Sequence, residues 1–106
     1  MSLQTKNEAL RHFLATLAYR GTNVLQNLSV ELSTFQPSEA VRTPLEILNH
    51  VNGVLTYAVS FFEPLESTRP ELADWETEVD RFFQVLTRLD QLLADDVPLK
   101  KVSEEQ

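Results

Sequence analysis

The spacing of its apolar residues constrains this chain most, because they recur every three or four positions in three separate segments. The two steps alternate without interruption in the last segment, through Leu72, Trp75, Val79, Phe82, Leu86, Leu89 and Leu93. Such spacing aligns apolar side chains on one face of an α-helix, and no long stretch alternates polar and apolar residues as a β-strand does. The sequence therefore predicts an all-α helical bundle in a single domain over residues 1–106. Its three amphipathic helices are predicted at about residues 5–33, 44–63 and 69–94.

Capping-box patterns give an independent signal for the helix starts. In this pattern a Ser or Thr and a Glu or Gln three residues later satisfy each other's backbone N–H groups. It occurs at Thr5–Glu8, Thr43–Glu46, Thr68–Glu71 and Ser103–Gln106. The first three coincide with the predicted helix starts. From the fourth we expect the tail at 95–106 to lead into a fourth helix that the chain lacks, and a solvated tail is the alternative.

The second predicted helix has an unusually wide apolar arc, which covers about 140° of the helical wheel. Its members are Phe61, Val54, Ile47, Ala58, Val51, Phe62, Leu55 and Leu48. Leaving such side chains in water forfeits about 1.5–3 kcal/mol each. Two neighbouring helices cannot cover so wide an arc, so we expect a further cover. It would be either a missing fourth helix or a second copy of the chain in a homodimer.

A glycine lies within the apolar stripe of the first predicted helix, between Leu17 and Leu25. A glycine inside a helix costs about 1 kcal/mol relative to alanine. Gly21 therefore predicts the close approach of a neighbouring helix at this point.

Composition disfavours several classes of function. Nine Lys and Arg against 16 Asp and Glu leave a formal charge of −7, and the basic residues are dispersed. A phosphate backbone would be repelled by such a surface, so no nucleic-acid partner is expected. The chain has no cysteine, which excludes disulfides, cysteine-based zinc sites and a thiol nucleophile.

No membrane segment is expected either. The most apolar stretch, residues 45–62, contains polar side chains that hydrocarbon would leave without partners: Asn49, His50, Asn52, Thr56 and Ser60. The N-terminus lacks the uninterrupted apolar core of a signal peptide. The sequence predicts a soluble, cytoplasmic protein.

His50 is the main candidate for a functional residue. On the wheel of the second predicted helix it lies beside Val54, Tyr57 and Phe61, at the margin of the apolar arc. A histidine there can point inward while one ring nitrogen stays available. Glu46 could orient the ring, but its position in a capping box explains it equally well, and the capping role is favoured. A structural, hydrogen-bonded histidine remains the alternative.

Two other residues are weaker candidates. His12 lies opposite the apolar stripe of the first helix and is expected to face water, about 21 Å along the bundle from the level of His50. Asp90 is an acid inside the seam of the third helix. It would lie near His50 if the second and third helices were antiparallel, as the apparently short connection between them suggests.

Residues 41–62, VRTPLEILNHVNGVLTYAVSFF, resemble the second helix of DinB/YfiT-like proteins, above all in Leu48, Asn49 and His50. Residues 11–26 and 74–93 look like the first and third helices of that family. The resemblance implies a four-helix bundle that binds a divalent metal, zinc or nickel, through one histidine on the second helix and two on the fourth. Only His50 has a counterpart in this chain.

The resemblance also implies an activity. Characterised relatives include S-transferases that use the low-molecular-weight thiols bacillithiol or mycothiol, and a maleylpyruvate isomerase. By this reading the chain is a metal-binding relative of the thiol transferases, with no assigned substrate. Its 106-residue form is expected to be inactive, because the fourth-helix histidines are missing. The alternative is a non-catalytic helical domain that self-associates or binds a partner through its second helix.

The family topology is up-down-down-up, which makes the second and third helices parallel. Parallel packing would place Trp75 and Glu76 near the level of His50 and move Asp90 away, so Asp90 is not retained as a site residue. It also requires the link after Phe62 to stay extended to about Asp74, since about 12 residues can cross a bundle.

Overall fold

The computed structural model describes residues 3–67 and 69–99. Over these residues the chain forms four α-helices: α1 Leu3–Asn27, α2 Val30–Ser33, α3 Pro44–Val59 and α4 Trp75–Ala94. The described part contains no β-strand, and the prediction of an all-α helical bundle is confirmed. None of the described helices is both long enough and apolar enough to span a bilayer.

The first predicted helix, 5–33, is divided in two. α1 ends at Asn27 and α2 begins at Val30, after Ser29. The Ser29 hydroxyl accepts a hydrogen bond from the N–H of Leu32 at 3.2 Å and so caps the second piece. A serine side chain offers the backbone an alternative to the helical hydrogen bond, which explains a break at this position. The apolar spacing alone predicts a continuous helix here.

The predicted helix starts have different outcomes. The capping box at Thr43 and Glu46 is confirmed, with both reciprocal hydrogen bonds present at the start of α3. Thr5 lies inside α1, so the box predicted there is wrong. Thr68, the first residue of the third pattern, lies outside the described residues; residues 69–74 after it are not helical, and α4 begins at Trp75 with Asp74 as its cap. The pattern at 103–106 lies outside the described residues.

α3 and α4 run parallel. The Asn49 side-chain amide donates to Glu78 Oε2 at 2.9 Å near the start of both helices. Just beyond α3, Glu63 pairs with Arg88, further along α4. From the first contact to the second, the residue numbers increase on both sides. The two helices therefore point in the same direction, as the DinB resemblance predicts. The antiparallel arrangement is wrong, because α4 begins beside the start of α3, after a long link whose described residues are 60–67 and 69–74.

α1 is antiparallel to α4. Near the start of α1, Asn7 donates to the carbonyl of Leu93, at the far end of α4, at 3.2 Å. Further along α1, a Cβ placed on Gly21 would lie 2.7 Å from Cε2 of Phe82. Gly21 therefore permits the close helix approach that the sequence predicts.

α4 forms the centre of the bundle. Eight apolar side chains are buried in the described part of the chain, and α4 supplies six of them; the eight are Leu48, Val59, Trp75, Phe82, Leu86, Leu89, Leu92 and Leu93. Leu14 and Leu17 of α1 pack against this core, as do Val51 and Leu55 of α3. α1 and α3 thus flank α4, and each has a side that α4 does not cover.

Candidate functional site

His50 lies on the exposed side of α3 and lines an open groove of about 830 Å³. Other lining residues are Arg42, Asn49, Gly53, Val54, Tyr57, Arg69 and Pro70. Arg42 immediately precedes the helix cap Thr43, and Arg69 and Pro70 belong to the link before α4. The groove is therefore built by α3 on one side and by the segments leading into α3 and α4 on the other.

His50 is not part of a recognisable metal site within the described residues. No three His, Cys, Asp or Glu side chains lie close enough there to hold an ion. Glu46 is engaged by the cap, since its carboxylate accepts from the N–H of Thr43 at 2.9 Å. That bond and the one from the Thr43 hydroxyl lower the pKa of Glu46. Metal binding at His50 stays a prediction and would need ligands from elsewhere.

The two weaker candidates lie away from this groove. His12 is exposed on α1, as the sequence predicts. Asp90 of α4 pairs with Arg11 of α1 at 2.8 Å, and this hydrogen bond raises the pKa of the Arg11 guanidinium. Asp90 therefore joins α1 to α4, which explains an acid within the seam of α4.

The parallel arrangement predicts Trp75 and Glu76 near the level of His50. Trp75 packs in the same core cluster as Leu48, two residues before His50, which agrees with the parallel helices. Glu76 is exposed. The carboxylate that enters the interface between α3 and α4 is instead Glu78, whose side chain is 0% exposed.

Glu78 is the main polar residue that sequence reasoning missed. Its carboxylate accepts hydrogen bonds from the side-chain amides of Asn49 and Asn52 and from the N–H of Ala73, each at 2.9 Å. Arg81 forms an ion pair with it at 3.1 Å. All four partners donate to one buried carboxylate, which is the condition under which a buried charge is tolerated.

The ionisation of Glu78 follows from this environment. Burial opposes the charged form, but the hydrogen bonds from Asn52, Ala73 and Asn49 and the charge of Arg81 outweigh it. The pKa of Glu78 is therefore lowered below its ordinary value of 4.5. The residue is a charged carboxylate at neutral pH.

The same network fixes the link that borders the groove. Asn49 also donates to the carbonyl of Pro70 at 3.3 Å, and Arg81 donates to the carbonyl of Glu71 at 2.8 Å. The available sequence signal was the pair Asn49 and Asn52, two amides three residues apart in the most apolar stretch of the chain. Such amides require a buried partner.

A second candidate surface is the apolar side of α1 and α3. Its residues, here called the apolar face, are Leu10, Phe13 and Val24 of α1 and Ile47 and Val54 of α3. Phe13 is 62% exposed and Ile47 49% exposed. Leu17 of α1 and Val51 of α3 pack against one core cluster, so the two helices with these exposed residues share that core.

The fold and these two surfaces define the class of protein, an all-α helical bundle with an exposed apolar face and a groove beside α3. A comparison with known protein families, curated proteins and solved structures finds no match for the chain. The resemblance to DinB-like proteins accordingly rests on the residues quoted above and stays a prediction.

Proposed function

We propose that this chain is a cytoplasmic helical domain that associates with a second copy of itself through the apolar face. The observation that supports this proposal is the exposure of Phe13 on α1 and of Ile47 and Val54 on α3, each about half exposed or more. Burial of a half-exposed side chain of this size contributes about 1 kcal/mol. Five such residues on each copy favour association.

Charge supports the same choice of partner. The chain as a whole has a net charge of −7, which opposes association of two copies through most of their surface. Residues 47–61, which include most of α3, contain no Asp, Glu, Lys or Arg. A two-fold interface brings the same patch of both copies together, so a patch on this helix avoids repulsion between like charges.

Sedimentation equilibrium tests the proposal directly. The wild type is expected at twice the chain mass of 12.1 kDa. Ile47→Glu and Phe13→Glu place a charge within the interface and are each expected to give a monomer. The matched control is Tyr19→Glu, which also replaces an exposed apolar residue of α1 but lies about 120° around the helix from Phe13. A monomeric wild type overturns the proposal, as does a Tyr19 variant that dissociates equally.

A second candidate function is the metal-dependent one that the DinB resemblance implies, with His50 as one ligand of zinc or nickel. The parallel direction of α3 and α4 and the exposure of His50 favour it. The residues present do not fit a metal by themselves, because one imidazole is not a site and the guanidinium groups of Arg42 and Arg69 line the same groove. This candidate therefore ranks second, and no thiol-transfer step is assigned to the described residues.

Metal analysis separates the two candidates. The purified chain is dialysed with zinc or nickel and its metal content is measured, beside His50→Ala and the control His12→Ala. Stoichiometric metal that disappears only in the His50 variant supports the second candidate. A folded chain without metal, or metal lost equally in both variants, overturns it and leaves the association proposal untouched.

A further inference from the structure

The groove beside α3 has a lining opposite in charge to the molecule as a whole. Acids outnumber bases by 16 to nine in the chain. The groove nevertheless contains Arg42, Arg69 and His50, and no Asp or Glu is among its lining residues. The carboxylate of Glu46, whose pKa the charge of Arg42 helps to lower, is held by the cap at Thr43. A surface of this kind attracts anions and repels cations.

Its two guanidinium groups are available to a ligand. Within the described residues neither Arg42 nor Arg69 forms a salt bridge, whereas Arg11, Arg81 and Arg88 each pair with a carboxylate. A guanidinium presents a fork of donors that matches the oxygens of a carboxylate or a phosphate. His50 adds an exposed imidazole to the same lining from α3.

The groove is held in shape by the buried network described above. Asn49 lines it and donates both to Pro70, on the opposite wall, and to the buried carboxylate of Glu78. The wall that contains Arg69 and Pro70 is thereby fixed to α3. Pre-organisation of this kind lowers the ordering cost of binding.

The remaining lining residues are apolar. Val54 and Tyr57 are each about half exposed, and the Tyr57 ring packs edge-on against Phe61 with their centroids 4.9 Å apart. Gly53 contributes no side chain, which leaves room between Asn49 and Tyr57. A volume of about 830 Å³ is within the range of pockets for small organic molecules.

We propose that this groove binds a small organic anion, in which a phosphate or carboxylate group contacts Arg42, Arg69 and His50 and an attached aromatic or aliphatic group packs on Tyr57. This inference goes beyond the proposed self-association and does not depend on it. Val54 is the one residue shared between the groove and the apolar face.

The test is a titration of the full chain with phenyl phosphate, followed by calorimetry and by backbone amide chemical shifts. Saturable binding is expected, with the largest shifts at residues 49–57 and in the link around Arg69. Arg42→Gln combined with Arg69→Gln is expected to weaken binding at least about tenfold, since each removes a charge-assisted hydrogen bond. The control Arg20→Gln removes an exposed arginine of α1 outside the groove and should leave the affinity unchanged.

Three further arms complete the test. Gly53→Leu fills the groove without lowering helix propensity and should also weaken binding. Inorganic phosphate and phenol, each half of the probe, should both bind more weakly than phenyl phosphate. The monomer-forming Ile47→Glu should bind phenyl phosphate as the wild type does. The proposal is overturned by the absence of saturable binding, by equal loss in the Arg20 variant, by shifts that map elsewhere, or by phosphate alone binding equally well.

Discussion

The side-chain amide of Asn52 on α3 donates to both the carboxylate Oε1 and the backbone carbonyl of Glu78 on α4, each at 2.9 Å. Asn52 is 1% exposed and Glu78 is 0% exposed, so this contact excludes water on both sides. It joins the two parallel helices at one level. Through Asn49 and Ala73 the same carboxylate also holds the link between them.

Removal of the Glu78 carboxylate should therefore be among the most costly single changes. Glu78→Ala leaves the amides of Asn49 and Asn52 and the charge of Arg81 without their buried acceptor, and it is expected to lower the free energy of unfolding by about 3–5 kcal/mol. The matched control is Glu76→Ala, an exposed acid in the same turn, which should change stability by less than about 0.5 kcal/mol. Urea unfolding measures both. Equal effects in the two variants would show that the network does not stabilise the fold.

The pKa of Glu78 also sets a dependence of stability on pH. Because its folded pKa is below the ordinary value of 4.5, the unfolded chain binds the proton more readily in acid. The contribution of Glu78 is thus fully present above about pH 4.5 and is lost as the pH falls through the folded pKa. Glu46 and Asp74 have lowered pKa values and act in the same direction.

The contribution of Glu78 can be isolated by comparison with Glu78→Gln, which does not titrate. The difference in free energy of unfolding between wild type and variant should be largest near neutral pH and should shrink as the pH falls below about 4.5. A difference that is constant across this range would mean that Glu78 has the same pKa in both states.

Gly21 gives a test of the packing between α1 and α4. Alanine is the better helix former by about 1 kcal/mol, so Gly21→Ala would stabilise an exposed helix. Here the new Cβ would lie 2.7 Å from Cε2 of the buried Phe82 ring, and overpacking of this kind costs about 1–3 kcal/mol. We expect Gly21→Ala to lower the free energy of unfolding. In the Phe82→Leu background the same change should lower it less, or raise it. A double-mutant cycle that shows no coupling would contradict the close approach.

The helix caps supply a paired test of a local prediction. Thr43→Ala removes the hydroxyl that accepts from the N–H of Glu46 and is expected to cost about 1 kcal/mol. Thr5 has the same sequence pattern but lies inside α1, where alanine is a better helix former. Thr5→Ala should therefore cost less than Thr43→Ala in thermal unfolding. The reverse order would mean that the helix starts are wrongly placed.

The helices themselves could be predicted from the sequence because burial of one apolar face determines them. The start of α3 at Pro44 and the end of α4 at Ala94 agree with the predicted bounds. The break at Ser29 could not be predicted by this means, because Leu28 and Leu32 continue the apolar spacing across it. The start of α4 was predicted six residues too early, because a capping pattern occurs in the sequence before it. In the structure the helix is capped by Asp74 instead.

The candidate sites were less accessible to sequence reasoning. His50 and the wide apolar arc of the second predicted helix belong to one segment and could be identified there. Glu78 could not, because its pairing with Asn49 and Asn52 depends on the parallel direction of two helices. The groove depends in addition on Arg42 and Arg69, which lie far apart in sequence and meet only through the folded link.

The central claim is that the apolar face of α1 and α3 is covered by a second copy of the chain. Calorimetry at different protein concentrations tests it most directly, because a folded dimer that unfolds to two chains gains stability by mass action. The melting temperature should rise by about 6 °C over a hundredfold increase in concentration, and it should become constant in Ile47→Glu. A wild type that melts cooperatively at one temperature, whatever its concentration, would contradict the claim.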